Sequence, residues 1–276
     1  MTGSDSRVPT TDLLLSPFGA HGPDMVEAAR QAERAGYGGL WAEDHFSGAM
    51  VGRQWSREPF TVLGAIAVAT ATIRFGPLVA NVVNRHPALL ASAAATLQSL
   101  GRGRVVLGLG AGAGPGSYYA GEFDAIGVEL GDLASRRRRL VETIEVVKQI
   151  WNGGGDYAGE FFTLNGLDAV VGSDVPLPPL VVGASSAGTV ELAATHADGV
   201  NVVGGPGWER LVELARDLTA GRRFEISVFM ALDPDHPTGG ELDSMVDLGV
   251  DSRVLSVVAP YPVDRLHQIA DRLRSL

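Results

Sequence analysis

The chain has 276 residues, 45% hydrophobic and 20% charged, and it contains no cysteine, which excludes disulfides, thiolate catalysis and cysteine-built zinc sites. The formal net charge of −10 argues against a nucleic-acid partner, because such partners require a basic surface. No apolar run is long enough to span a membrane and the polar N-terminus lacks a secretory signal, so we expect a cytoplasmic protein.

Short apolar strands and amphipathic helices alternate along the chain. Strands are predicted at residues 12–19, 38–46, 73–83, 103–110, 178–184, 198–205, 223–232 and 251–259. Helices are predicted at residues 23–36, 58–72, 86–101, 134–153, 187–197, 208–221, 240–249 and 262–276. The strands are apolar on both faces, as buried parallel strands are.

Eight strand–helix pairs predict a single-domain (β/α)₈ TIM barrel over residues 12–276, preceded by a disordered tail over residues 1–11. A doubly wound open sheet is the competing architecture, but no linker divides the chain into halves. In a barrel the functional residues lie at the carboxyl ends of the strands, so those ends hold the candidate site.

The stretch GRGRVVLGLGAGAG at residues 101–114 places glycine at every second position after a strand. Gly108, Gly110 and Ala113 satisfy a loose dinucleotide-binding pattern, yet no helix follows directly, as that motif requires. Two other interpretations are open: the glycines ease a barrel corner, or they let the backbone approach a flat ligand.

Four stretches together resemble the bacterial luciferase-like superfamily. They are GLWAEDHF at 39–46, the run from Arg74 to Gly114, the run from Glu122 to Trp151, and PPLVVGASSAGTVELAATHADGVNVV at 178–203. The resemblance implies a (β/α)₈ barrel and an F420-dependent oxidoreductase that transfers a hydride between the deazaflavin and a small organic substrate. It leaves open an FMN-dependent monooxygenase fed by a separate reductase, and a non-catalytic flavin-binding protein.

The same resemblance implies roles for residues at the barrel mouth. His45 is the candidate proton-handling residue, with Asp44 beside it; the alternatives are a packed histidine and a loop-capping aspartate. For the cofactor ring the resemblance implies a cis peptide at Leu78-Val79. It also implies ring contacts from the carboxyl ends of the third and fourth predicted strands. The ring contacts are expected from Leu78, Val79, Asn81, Gly110, Ala111 and Gly112.

The predicted helix after the fifth strand begins with free amides and hydroxyls, which suit a cofactor phosphate. The candidates are Gly183, Ala184, Ser185 and Ser186, with serine N-capping as the alternative. We expect Arg85 to be structural and the run Arg136–Arg139 to be a solvated helix start. No histidine spacing indicates a metal site, so no catalytic metal is expected.

At two positions the sequence differs from members of the family, and these differences narrow the activity and cofactor that the resemblance implies. An acid typical of the sugar-phosphate dehydrogenases is replaced by Ala113, and a basic residue that contacts flavin phosphate is absent near Ala111. The resemblance therefore implies neither that sugar-phosphate activity nor the ordinary FMN binding mode. Relatives with this barrel are often dimers, and the apolar run AIAVATAT at 65–72 could form such an interface or could equally pack as core against the barrel.

Overall fold

A computed structural model of the protein describes residues 8–168, 175–231 and 242–274. The strands are β1 Thr10–Leu15, β2 Gly39–Ala42, β3 Arg74–Pro77, β4 Ala80–Asn81, β5 Leu107–Gly110, β6 Gly154–Ala158, β7 Thr163–Asp168, β8 Leu180–Ala184, β9 Gly199–Val203, β10 Glu225–Ala231 and β11 Ser252–Val257. The helices are α1 Gly22–Ala35, α2 Pro59–Ala69, α3 Pro87–Leu100, α4 Gly121–Asp124, α5 Leu133–Trp151, α6 Ala187–His196, α7 Trp208–Leu218, α8 Leu242–Asp247 and α9 Leu266–Arg274. Short 3₁₀ turns lie at Ala49–Val51, Tyr118–Ala120 and Val263–Arg265.

The main sheet is a closed parallel barrel. Its order is β3-β2-β1-β11-β10-β9-β8-β5-β4, and a parallel bridge from Phe75 to Val105 joins the two ends. β3 pairs with β2 and β4 pairs with β5, so β3 and β4 are two halves of one barrel strand. The predicted (β/α)₈ barrel is therefore confirmed in the part of the chain that the structure describes.

The third predicted strand is not continuous. It breaks between Pro77 and Ala80, and the bond from Leu78 to Val79 at the break is a cis peptide, as the resemblance implied. The break lets one half pair with the preceding strand and the other half with the following strand. The site is built around this break.

The chain enters the barrel earlier than predicted. β1 already begins at Thr10, where Thr10 and Thr11 pair with Ser252 and Arg253 of β11. Thr10 and Thr11 therefore belong to the barrel and not to the predicted tail over residues 1–11, of which residues 1–7 lie outside the described residues.

An antiparallel hairpin of β6 and β7 follows α5, where the sequence indicated only a connection. Its strands are mostly exposed, so they lack the apolar pattern that marks the barrel strands. Glu142 of α5 fixes the turn between them by accepting hydrogen bonds from the amides of Phe161 and Phe162.

The hydrophobic core contains the apolar helix faces that the sequence periodicity predicts. α1 buries Met25, Ala28, Ala29, Ala32 and Ala35, and it ends at Gly36 in the left-handed conformation (φ 79°). Alanine on the inner face lets the helix lie close to the barrel. No helix of the described ranges is long and apolar enough for a bilayer crossing.

The interior of the barrel contains one deeply buried acid at its amino-terminal end. Asp12 of β1 accepts a hydrogen bond from the indole nitrogen of Trp41 at 3.1 Å. Burial raises the pKa of Asp12 from its ordinary value of 3.8 to about 6. Arg74 and Glu225, which pair at 2.8 Å, lie near it and act on it in opposite directions.

Candidate active site

A cavity of about 540 Å³ opens at the carboxyl ends of the barrel strands. Its wall includes all twelve residues that the sequence nominated, although their roles stay predictions. These are Asp44, His45, Leu78, Val79, Asn81, Gly110, Ala111, Gly112, Gly183, Ala184, Ser185 and Ser186. Barrel topology alone predicted that these residues would lie together, because each ends or follows a parallel strand and all such strand ends meet at one face of the barrel.

The alternating glycines of β5 and of the loop that follows it lie against other parts of the protein. A Cβ at Gly108 would overlap the carbonyl oxygen of Pro77, and one at Gly110 would overlap the side chain of Val79. A Cβ at Gly112 would lie 2.9 Å from the Asn81 side-chain oxygen. The glycines therefore let the broken third strand lie against β5, which favours the interpretation that they ease packing within the barrel, and their role toward a flat ligand stays a prediction.

Val79 is held from both sides at this point. Its side chain lies beside Gly110 and beside Gly183, where a Cβ would approach to 2.9 Å. The Asn81 side chain is also held in place by its neighbour, since its oxygen accepts a hydrogen bond from the Val83 amide at 3.0 Å. Both glycines and the Leu78-Val79 segment line the cavity, so this part of its wall consists largely of backbone.

Asp44 lies in a buried ion pair. Both of its oxygens accept from the guanidinium of Arg85, and one also accepts from the Asn81 amide at 2.9 Å. Arg85 also forms an ion pair with Glu58 at 2.6 Å, and its guanidinium lies over the ring of Phe60. The structural role expected for Arg85 is confirmed, and Asp44 joins the loop after β2 to the start of β4.

His45 is held by groups that the sequence did not nominate. Its Nδ1 lies 2.6 Å from Glu122 of the short helix α4, whose side chain is fully buried. Tyr119 stacks on the imidazole at 4.7 Å, and Phe18 contacts its other side at 5.2 Å. Glu122 and Tyr119 were missed because residues 111–132 have no helical or strand periodicity.

A second carboxyl group, Glu43, lines the same cavity. Burial raises the pKa of Glu43, although a hydrogen bond with Ser16 and the nearby His45 act the other way. A signal for Glu43 was present in the sequence: residues 43 and 45 of an extended segment lie on the same face. The cavity therefore contains a carboxyl group that favours its protonated form, beside an imidazole.

The far end of the cavity is suited to an anion. Within the described residues the Ser186 side chain does not cap α6; instead it accepts from Arg137 at 2.9 Å and contacts Thr189 at 3.1 Å. The amides of Thr189 and Val190 donate to the carbonyl oxygen of Ser186, and the amides of Ala187 and Gly188 before them receive no side-chain cap from Ser186. The alternative interpretation, serine N-capping, is wrong for Ser186.

The expectation of a solvated run at Arg136–Arg139 is wrong for its first half. Arg136 is buried and lines the cavity, and Arg137 reaches Ser186. Within the described residues the Nε atoms of both guanidinium groups have no hydrogen-bond partner. Arg138 pairs with Glu160 at the surface, as expected. Consecutive helical residues point in different directions, so Arg136 lines the cavity, Arg137 contacts Ser186 beside it and Arg138 faces solvent.

A model of the luciferase-like monooxygenase family matches residues 10–235. The chain belongs to this family. In the described ranges no cluster of three histidine or carboxylate side chains is arranged to hold a metal ion.

Three curated relatives illustrate where the chain falls within the family. It is 33% identical over 177 residues to an F420-dependent hydroxymycolic acid dehydrogenase of Mycobacterium tuberculosis, covering 63% of this chain and 47% of the relative. It is 34% identical over 170 residues to a 5,10-methylenetetrahydromethanopterin reductase of Archaeoglobus fulgidus, covering 61% and 46%. It is 31% identical over 144 residues to the pyrimidine monooxygenase RutA of Klebsiella pneumoniae, covering 51% and 38%. The chain spans about half the length of the first two relatives.

Solved structures agree on the fold. An F420-dependent secondary alcohol dehydrogenase in complex with an F420-acetone adduct superimposes with a TM-score of 0.79 at 18% identity, covering 96% of this chain and 98% of that one. An EDTA monooxygenase from Chelativorans sp. BNC1 gives 0.79 at 15% identity, covering 98% and 94%. At these identities the likeness concerns the barrel alone.

Proposed function

We propose that the protein is an F420-dependent oxidoreductase that transfers a hydride between the deazaflavin and a small organic substrate. The observation that carries the proposal is the cavity, whose wall consists partly of backbone, with Arg136 and Ser186 lining one part and His45 and Glu43 another. The names of the relatives from Mycobacterium and Archaeoglobus, one an F420-dependent dehydrogenase and the other a reductase, support the same assignment.

The residues present fit such a cofactor. The Leu78-Val79 segment and the backbone at Gly110 and Gly112 line the cavity and would hold the planar ring of the cofactor. Ser186 at the start of α6 and Arg137 of α5, which donates to it, would hold an anionic arm, because a helix N-terminus and a guanidinium attract phosphate.

When bound, F420 supplies a ring carbon that accepts or gives a hydride. The chain's own residues do the rest. The wall around Val79 orients the ring, and apolar side chains such as Leu14 and Phe229 exclude water from the reacting atoms. His45 and Glu43 exchange the proton that accompanies the hydride.

A two-component FMN-dependent monooxygenase is the second candidate, favoured by the similarity to RutA. It would require a separate flavin reductase as partner, and reduced FMN would be consumed with oxygen. A non-catalytic flavin-binding protein would bind a cofactor without any turnover that depends on His45.

Fluorescence titration with F420 and with FMN at matched ionic strength separates these functions. We expect tight F420 binding and weak FMN binding, followed by substrate-dependent change in F420 absorbance that His45→Ala abolishes without weakening cofactor binding. The reverse affinities together with oxygen uptake would replace the proposal by the monooxygenase. Binding of neither cofactor at micromolar protein would refute both.

We also propose that the enzyme is cytoplasmic and works as a homodimer. The outer faces of α2 and α3 expose apolar side chains, with Val68 at 71% and Leu89 at 67% of full exposure. Light scattering of the purified protein tests the dimer, and Val68→Asp should shift it toward the monomer if this face is the interface.

A further inference from the structure

The contact between His45 and Glu122 determines which imidazole nitrogen can react. Glu122 Oε1 lies 2.6 Å from His45 Nδ1, and its Oε2 accepts from the backbone amides of Phe46 at 3.1 Å and Ser47 at 3.3 Å. A backbone amide can only donate, so Oε2 is fixed as an acceptor. The carboxylate is buried and therefore needs every one of these bonds.

The imidazole cannot easily turn away from this partner. Tyr119 stacks on it with an interplanar angle of 30°, and Phe18 packs on it at 41°. The backbone is also fixed, since the carbonyl oxygen of His45 accepts from the Ser56 hydroxyl at 2.7 Å. Rotation of the ring would break the bond to Glu122 and leave a buried carboxylate oxygen without its donor.

We propose that Glu122 is a positioning residue that accepts the Nδ1 proton of His45, so that Nε2 is the nitrogen that takes the substrate's proton. This inference rests on the proposed function for its chemical meaning. During oxidation of a hydroxyl compound, the O–H proton passes to Nε2, the carbon-bound hydrogen leaves as a hydride to the deazaflavin, and a carbonyl group forms. The positive imidazolium is then compensated by Glu122.

The variant Glu122→Gln makes the inference sharply testable. The amides of Phe46 and Ser47 require an oxygen at the Oε2 position, so the glutamine must turn its NH₂ toward His45 Nδ1. Nδ1 then has to accept, and the ring proton moves to Nε2. The variant keeps its shape and all its hydrogen bonds, so it should fold, yet the imidazole is left in the wrong tautomer.

Nitrogen NMR of the cofactor-free protein with ¹⁵N-labelled histidine reads the tautomer directly, with His45→Gln assigning the signals. We expect Nδ1 to carry the proton in the wild type and Nε2 to carry it in Glu122→Gln. A wild-type imidazole protonated at Nε2, or an unchanged tautomer in the variant, would overturn the proposal. Because this measurement needs no cofactor, it is independent of whether F420 is the ligand.

Kinetics test the consequence. We expect Glu122→Gln to lower kcat by roughly 10²-fold or more with KM changed by less than about threefold. Glu122→Asp, which keeps the charge, should recover part of the rate, and Glu129→Gln on the same segment, which is exposed, is the matched control. His45→Ala with Glu122→Gln should be no slower than His45→Ala alone; multiplying effects would refute action through His45.

Discussion

The ion pair between Arg85 and Asp44 should stabilise the fold strongly, and Arg85→Met tests this. The Arg85 and Asp44 side chains are 19% and 3% exposed, and both carboxylate oxygens accept from the guanidinium. Removing the guanidinium leaves a buried carboxylate without its counter-charge, which costs about 3–5 kcal/mol. For a chain of this size each kcal/mol lowers Tm by roughly 2–4 °C, so we expect a fall of about 6–20 °C.

The chain offers a matched control in Arg138→Met. Arg138 binds both oxygens of Glu160, at 2.8 and 3.0 Å, but the two side chains are 55% and 53% exposed. Water solvates these charges after the pair is broken, so the loss should be below about 1 kcal/mol. The two pairs share their chemistry and differ in burial.

Urea denaturation, followed by circular dichroism at pH 7, measures both losses. Combining Asp44→Asn with Arg85→Met should recover part of the Arg85→Met loss, because no unpaired charge remains in the double variant. Equal losses for Arg85→Met and Arg138→Met would refute the reasoning that burial of the Asp44 carboxylate determines the effect.

Three further perturbations probe the barrel and the site. Gly110→Ala should weaken F420 binding and stability because its Cβ overlaps Val79, whereas Gly121→Ala, with open space around it, should change neither; titration and urea melts compare them. Asp12→Asn should remove a pH dependence: burial holds the pKa of Asp12 at about 6 in the folded protein, above its ordinary value of 3.8. The folded form thus binds this proton more tightly, so the free energy of unfolding falls by about 2 kcal/mol as pH rises from 4 to 6 and levels off above about pH 7; urea melts across pH 4–8 measure that slope in both proteins. Arg137→Gln should weaken binding of F420 but leave binding of the deazaflavin without its phosphate arm unchanged, and equal weakening of both would contradict a phosphate role for this residue.

The barrel could be predicted from sequence because its determinants are local. A buried strand such as Leu180–Ala184 is apolar throughout, and a helix such as α1 repeats alanine at its inner face. The site residues could then be nominated from topology, since parallel strands end at one face. The exposed hairpin β6–β7 has neither signal, and so it was not predicted.

The partners of the nominated residues could not be predicted, because they are separated by long stretches of chain. Glu122 reaches His45 across 77 positions, and Arg85 reaches Asp44 across 41. Nothing in the local pattern around Glu122 distinguishes it from the exposed acid Glu129. For Arg136 the pattern was misleading, since a run of four arginines resembles a solvated surface and only the packing of α5 shows which of them is buried.

The adjacent carboxyl groups of Glu43 and Asp44 should therefore respond in opposite ways to the same amide substitution. Asp44 is committed as an ionised partner of Arg85, so Asp44→Asn should cost about 3 kcal/mol of stability. Burial raises the pKa of Glu43, which means that its charged form opposes folding as pH rises; Glu43→Gln should leave stability unchanged or higher at pH 8 while lowering turnover. Urea melts and rate measurements on both variants test these two expectations. A Glu43→Gln protein that unfolds more easily while keeping full activity would contradict the roles assigned to the two acids. In that case Glu43 would be the acid that stabilises the fold and Asp44 the acid that takes part in the reaction.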